Sequence, residues 1–408
     1  MTSSLWAFAI ISLHSALFAD AFNLHPFGSN RIVSSLKGSR TNDVVVETSP
    51  VVIDGPVLRP SGPGDLTQFD TDCVANPVVL PPSVTGTSKW QCYYYGHAGS
   101  WAGGQPSFLP TGWIGLAESD NGINWTKVVG SDELGSILAP TGNKNDWDGV
   151  HIGVGDVVRI NDGELQMYYF GSDGEAVVNP LNEKMPPTCG LRMRIGRARS
   201  MDNGRTWERM GLVLDYDPAE GLFASWPRLM IPADASMPWR MLYHAFDGRE
   251  WAAFGASSTD NGETWERDGL MLDKGAEGSW DSLGVGTRSI ARRPDGKWIM
   301  VYEAVDGAMG HRLGVAHFEE NEDGSFSWNK AEGPDYDAPG GPILCPGKGP
   351  LGQWTSKVIG TPFLVAMEEG SLRMYFCSRA DGGNMSIGMV ESESGGLETK
   401  CWKAVSPQ

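Results

Sequence analysis

The octapeptide SMDNGRTW, residues 200–207, returns as STDNGETW at 258–265 and more loosely as ESDNGINW at 118–125. A chain that writes one turn several times is built from repeated units, and such a repeat restricts the fold more than composition can. The unit extends beyond the turn. Each copy follows a strand-like run with a glycine in it, WIGLAES, RIGRARS or FGASS, and the runs RLGVAHF and SIGMVES keep this strand without the full turn. The glycines are Gly115, Gly196, Gly255, Gly314 and Gly388. Upstream of each lies a run with the aromatic and branched content of a strand: WQCYYYG, LQMYYFG, RMLYHAF, KWIMVYEAV and LRMYFCS. A third type precedes these, NPVVL, GDVVRI, WPRLMI, TRSIA and TPFLV, and Trp125, Trp207, Trp265, Trp328 and Trp402 each open a short outer strand.

Four antiparallel strands in each of five units predict an all-β fold, a five-bladed β-propeller, because radial repetition leaves only short, protected sheet edges. In the turn, Asn-Gly tolerates the positive φ of a tight hairpin, the Asp side chain accepts backbone N–H bonds across the loop, and the Trp packs between blades. The octapeptide resembles the Asp-box of sialidases and other propellers. In those families it sits at an outer rim away from the ligand, so the resemblance implies structure and not chemistry.

The chain of 408 residues with 53 Gly, 26 Pro and 16 Trp is turn-rich and long enough for a large core. Its formal net charge of -18 repels phosphate backbones, which argues against nucleic acid as a partner. The six cysteines show no C-x-x-C pair or zinc spacing and read as mostly free thiols. Residues 1–21 have the apolar run LWAFAIISLHSALFA and a small-residue end, as in a signal peptide, and 22–42 are basic and serine-bearing, as in a transit peptide. The two in series, with Phe22 after ADA, resemble the bipartite leaders of diatom-type plastids; simple secretion is the alternative. Residues 43–408 are then one propeller domain, with no transmembrane anchor once the leader is cleaved.

Blade count, the phrase WDSLGVGTRSIARRPDGKWIMVYEAVDG and the strand-initial NP and TP pairs make residues 50–405 resemble the arabinanase, levansucrase and invertase superfamily of five-bladed glycosidases. The resemblance implies a carbohydrate substrate or ligand at a central funnel, where carboxylates at inner-strand starts act as nucleophile or base, stabiliser and acid. The matching positions are Asn76, Asp156, Trp226, Thr287 and Thr361, of which only Asp156 is an acid. An amide cannot serve as base or nucleophile, so Asn76 departs from the pattern. Asp72, Asp148, Asp156 and Glu303 are the candidate catalytic acids, in that order. Arg228 and Arg288, near inner-strand starts, and Trp226 and Trp147, as stacking platforms, are the candidate binding residues. His151 and His244 are placed to face the funnel. No metal motif and no cofactor are read from the sequence, calcium at the axis being the one ion that relatives imply. Two readings follow: a glycoside hydrolase, or a non-catalytic propeller that binds glycan or protein and has lost the acids. A sialidase is a weaker third, since its three arginines and Tyr-Glu pair cannot be assembled. The oligomeric state is left open.

Overall fold

The computed structural model describes residues 55–62, 68–99, 108–181, 186–308, 310–320, 326–331 and 341–407; the leader lies outside them. The structure is all-β. One antiparallel sheet holds β1 (Cys73–Leu80), β2 (Trp90–His97), β3 (Trp113–Ser119) and β4 (Thr126–Val128) in sequence order. A second holds β5 (His151–Asn161), β6 (Glu164–Ser172), β7 (Met193–Ser200) and β8 (Glu208–Leu214). The next eight strands form two antiparallel quartets, linked by a single parallel bridge between Trp251 and Gly284. These are β9 (Ser225–Met230), β10 (Trp239–Phe246), β11 (Trp251–Ser258) and β12 (Glu266–Leu272), then β13 (Gly284–Arg292), β14 (Trp298–Val305), β15 (His311–Glu320) and β16 (Phe326–Lys330). The last sheet holds β17 (Val358–Ala366), β18 (Leu372–Arg379), β19 (Ser386–Ser392) and β20 (Lys403–Val405). The first strands of the quartets touch in a closed cycle, β1 to β5, β5 to β9, β9 to β13, β13 to β17 and β17 back to β1. The final quartet is completed by its own C-terminal β20, and Leu58 adds one antiparallel bridge to Ile387 on β19.

The repeated octapeptide is a hydrogen-bonded turn. Asp202 Oδ1 accepts from the N–H groups of Arg205 (3.1 Å) and Thr206 (2.9 Å), the Thr206 hydroxyl donates to Oδ2 (2.6 Å), and Gly204 N–H donates to Ser200 Oγ (2.8 Å). Asp260, Thr264, Gly262 and Ser258 repeat this network. Asn203 and Gly204 stand at φ 56° and 83°, and Asn261 and Gly262 at 60° and 84°, the left-handed pair for which Asn-Gly is suited. The third copy is one residue shorter between its serine and its glycine. There Asn121, not the expected Asp120, accepts the two N–H bonds at 2.9 Å, while Asp120 turns outward to Lys89.

Each turn docks on the quartet before it in the cycle. Trp207 meets Tyr93 edge-on at 5.9 Å, Trp265 meets Tyr168 at 6.0 Å, and Trp125 meets Tyr375 at 6.1 Å. The last of these seals the first quartet to the final one, where the Tyr375 hydroxyl also donates to Gly122 O at 2.8 Å. Asp202→Ala removes four of the turn's bonds, the Ser200 hydroxyl also donating to Oδ1 at 2.8 Å, and is expected to lower the melting temperature by a few degrees with the fold unchanged, as read by circular dichroism.

The recurring glycine has a packing cause. A Cβ on Gly196 would stand 2.1 Å from the Trp147 ring, and Gly314 and Gly388 are pressed in the same way by Trp280 and Trp354. Each indole lies between its glycine and an aromatic of the second strand, Trp147 with Tyr169 at 5.2 Å, Trp280 with Tyr302 at 5.6 Å and Trp354 with Phe376 at 6.0 Å. An ion pair closes the same layer in four quartets. The acid precedes the first strand and the base lies on the fourth: Asp70 with Lys127 (2.6 Å), Asp148 with Arg209 (2.8 Å), Glu220 with Arg267 (3.2 Å) and Asp281 with Lys330 (2.5 Å). Tyr94, Tyr169 and Tyr243 donate their hydroxyls to the first three acids.

Candidate functional site

The first strands share a local irregularity that aims side chains at the axis. Pairing with the second strand breaks between Ala75 and Val78, Val154 and Asp156, Val285 and Arg288, and Gly360 and Phe363; opposite β9 it breaks between Leu242 and His244. A bulge bends a strand and re-aims the extra residue, and proline is tolerated there because it owes the ladder no N–H. Pro77, Pro227 and Pro362 occupy three of these bulges, behind Asn76, Trp226 and Thr361 at φ 50°, 49° and 43°. Backbone in that region is strained for side chains of this size, and such strain concentrates at functional positions.

A second set comes from the middle strands. Tyr95, Phe170, His244, Glu303 and Cys377 each follow the buried aromatic of β2, β6, β10, β14 or β18, and each lines one of two small voids at the axis. One void, about 20 Å³, is enclosed by Tyr95, His151, Phe170 and Trp226. The other, about 40 Å³, is lined by Trp226, Trp251, Thr287, Glu303, His311 and Thr361 among others. Its walls are mostly apolar, with Thr287, Glu303, His311 and Thr361 supplied by β13, β14, β15 and β17 and His244 by β10.

Glu303 is the carboxylate of that larger void. Its Oε1 accepts from His311 Nδ1–H at 2.6 Å, and its Oε2 accepts from the Thr287 hydroxyl at 2.5 Å and from Thr361 N–H at 2.9 Å. Burial works to raise its pKa, but the bonds and charge of His311, followed by Thr287 and Thr361, outweigh burial and hold it below the usual value. Glu303 is therefore an ionised acceptor already supplied with donors on both oxygens.

Asp156 is buried and faces a different task. Its Oδ1 accepts from Val157 N–H at 2.9 Å and its Oδ2 from Leu229 N–H at 2.8 Å, so it ties β5 to β9 across the bulge. Burial pushes its pKa up, partly offset by Arg228 and those two N–H bonds. It lines neither axial void.

The two arginines are also inward, at 2% and 1% exposure, and bond to the backbone rather than opening to a ligand. Arg228 Nε donates to Arg288 O at 2.8 Å, and its guanidinium lies 5.0 Å over the Phe363 ring. Arg288 Nη2 donates to Gly286 O at 2.6 Å and to His244 Nδ1 at 2.7 Å. Burial lowers both, Arg228 to about 10 and Arg288 to about 9, the latter with help from Arg228. Their guanidinium groups brace the bulged strand starts beneath the void.

Of the remaining candidates, Trp226 is brought to the axis, packed between Phe170 (4.2 Å) and His244 (4.9 Å, stacked), so both ring faces are covered and its edge meets the void. Trp147 and Asp148 lie in the sheet-internal layer of the β5–β8 quartet described above, and neither lines an axial void. Asp72 is half-buried just before β1, with burial raising its pKa. His311 was not singled out by the sequence, because it lies at the start of a third strand outside every repeated motif. Its signal was positional: it stands across from Val305, two residues beyond Glu303, in a hairpin whose other copies carry Trp113, Met193, Trp251 and Ser386 near that level. Among the described residues no group of three or more His, Cys, Asp or Glu side chains is arranged to hold a metal ion, and no helix is long and apolar enough to cross a membrane. None of the six cysteines forms a disulfide.

No known family's sequence model and no curated protein matches the chain. Solved structures do. A thermostable family-43 glycoside hydrolase aligns over 84% of this chain and 95% of its own at 17% identity, with a TM-score of 0.54. A β-1,2-mannobiose phosphorylase from Listeria innocua aligns over 85% and 97% at 13% identity, TM-score 0.58. An exo-1,5-α-L-arabinanase from a bovine ruminal metagenomic library aligns over 83% and 99% at 14% identity, TM-score 0.50. The chain shares their propeller fold. At these identities the likeness extends to the fold and no further.

Proposed function

We propose that residues 43–408 form a five-bladed β-propeller that binds carbohydrate at its axis without cleaving it by the two-carboxylate route. The β9–β12 and β13–β16 quartets count as separate blades because one bridge joins them, and the closed cycle of first strands supports the count. The observation that carries the reading is that Glu303 is the one carboxylate on the larger axial void among the described residues, with both oxygens engaged. Glycoside hydrolysis needs two carboxyl groups about 5 to 9.5 Å apart flanking the bond. The carbohydrate assignment draws support from fold neighbours that act on glycosidic bonds by their own descriptions. The test is a panel of aryl glycosides and polysaccharides, scored for turnover and for binding. Binding without turnover is expected, and turnover abolished by Asp156→Asn would sink the non-catalytic part.

One observation favours the hydrolase as a second reading. Burial raises Asp156 while its donors lower Glu303, and two carboxyls pushed apart in pKa are what an acid and a base require. That reading expects Asp156→Asn and Glu303→Gln each to cost at least about a hundredfold in kcat, the low end for general acid–base catalysis.

Plastid delivery is part of the proposal. Residues 1–42 fused to a fluorescent protein are expected to reach the plastid of a diatom-type cell, and Phe22→Ala to leave the fusion outside it. Export of the unaltered fusion to the medium would favour secretion.

A further inference from the structure

The axial void has too little room for a sugar ring. A water needs about 10–15 Å³ of such space, so about 40 Å³ holds roughly three waters or a hydroxymethyl arm. A larger space adjoins it on the same face. Between the β9–β12 and β13–β16 quartets lies a groove of about 930 Å³, toward the upper end of the ~300–1,000 Å³ usual for ligand sites. The two are neighbours in the chain at three places: Glu250, Asp306 and Arg312 line the groove, while Trp251, Val305 and His311, next to each, line the void. Leu283, on the groove, bonds to both sides of the boundary, donating to Val305 O at 2.9 Å and accepting from Trp251 N–H.

The electrostatics of the groove select among ligands. The chain carries a net charge of -18, yet the groove's cations and acids balance. Arg312 pairs with Asp306 at 3.0 Å, Lys330 with Asp281 at 2.5 Å and Lys274 with Glu250, and the remaining Arg249 and Glu277 cancel. A polyanion would have to break these pairs against an acidic molecule, and a polycation would find no surplus of acid. A row of hydroxyls can share their donors and acceptors without displacing either partner.

Resting on the carbohydrate reading, we propose that this radial groove between the third and fourth quartets holds an extended, uncharged oligosaccharide whose terminal hydroxymethyl or hydroxyl group enters the axial void and donates to Glu303. The chain end gives orientation and the groove gives length-dependent affinity. The experiment is calorimetric titration of the full chain with uncharged glucan, mannan and arabinan oligosaccharides of increasing length. Sulfated and uronate-bearing oligosaccharides serve as comparison.

Affinity for one uncharged series is expected to rise about tenfold or more from monosaccharide to tetrasaccharide, a gain of about 1.4 kcal/mol per tenfold. It is expected to fall at least about tenfold in Glu303→Gln and several-fold in the surface variant Arg249→Ala/Lys274→Ala, while Arg293→Ala, in the turn at the far end of β13, changes nothing. The double surface variant keeps the test open if Glu303→Gln fails to fold. Glycan binding that ignores chain length and the groove variant overturns the groove but leaves the carbohydrate reading standing. Preference for the anionic series overturns the uncharged class. Absence of binding to every glycan removes both this inference and the reading beneath it.

Discussion

Alanine in place of Asp148 is expected to lower the unfolding free energy by about 3 kcal/mol and to leave glycan binding unchanged wherever the variant is folded. Asp148 is 2% exposed, accepts the Tyr169 hydroxyl at 2.8 Å and pairs with Arg209 Nε at 2.8 Å. Removing the carboxylate strands a half-buried guanidinium and a buried phenol, and breaking a buried pair from one side typically costs about 3–5 kcal/mol. The lower figure applies because Arg209 remains 34% exposed and water screens part of its charge. Urea unfolding gives the magnitude, and a cycle with Arg209→Met isolates the pair from the packing around it. A catalytic Asp148 would behave oppositely, losing turnover with stability nearly intact.

That contrast explains how far the sequence could be read. The repeats predicted strands in the right order and the turn chemistry down to the Asp202 and Asp260 acceptors, because hairpins and positive φ depend on residues close in sequence. The alignment of Asn76, Asp156, Trp226, Thr287 and Thr361 met the structure as well, since all five fall at breaks in first-strand pairing. What the repeats could not separate was the acid that recurs for packing from the acid that reaches the axis. Asp148 and Asp281 each stand one residue after a conspicuous Trp, and Asp70 one residue after Phe69, each with an ion pair in an equivalent loop, so this recurrence reports a sheet-internal layer. Glu303 occurs once, at a register where other quartets place Tyr95, Phe170, His244 and Cys377. A residue that breaks the repeat at an axis-facing position carries the site signal, and comparing the five middle strands position by position would have put Glu303 first. His311 needed the fold itself, because only the β14–β15 hairpin brings it to Glu303.

Acidification below pH 6.5 is expected to destabilise the protein steeply, well before most carboxylates titrate. Three histidines are buried in neutral form, His151 and His244 of them at the axis. His97 Nδ1 accepts Gly99 N–H at 3.0 Å, His151 Nδ1–H donates to Pro110 O at 2.9 Å, and His244 Nδ1 accepts from Arg288. Burial lowers His97 to about 3, with His151 adding to the shift, and lowers His151 itself to about 4; burial and then Arg288 hold His244 well below its usual range. Unfolded histidine titrates near 6.5, so between that pH and the depressed values the unfolded chain binds protons that the folded one refuses. The stabilisation is therefore complete above pH 6.5 and is lost as pH falls toward 4 and 3. At about 1.4 kcal/mol per pKa unit, the loss is on the order of several kcal/mol, comparable to the whole stability of an ordinary domain. Glu303, held low by its donors, loses its contribution in the same direction once pH passes below the ordinary carboxylate value, whereas the raised Asp156 works weakly against both. Melting temperature followed by circular dichroism should be flat from pH 8 to 7 and drop sharply below 6.5. His151→Gln, which keeps a donor for Pro110 O but cannot take up a proton, should flatten part of that slope. A melting temperature unchanged down to pH 4.5 would mean that the histidines at the axis are hydrated and charged, and the tightly packed axis described above would have to be opened.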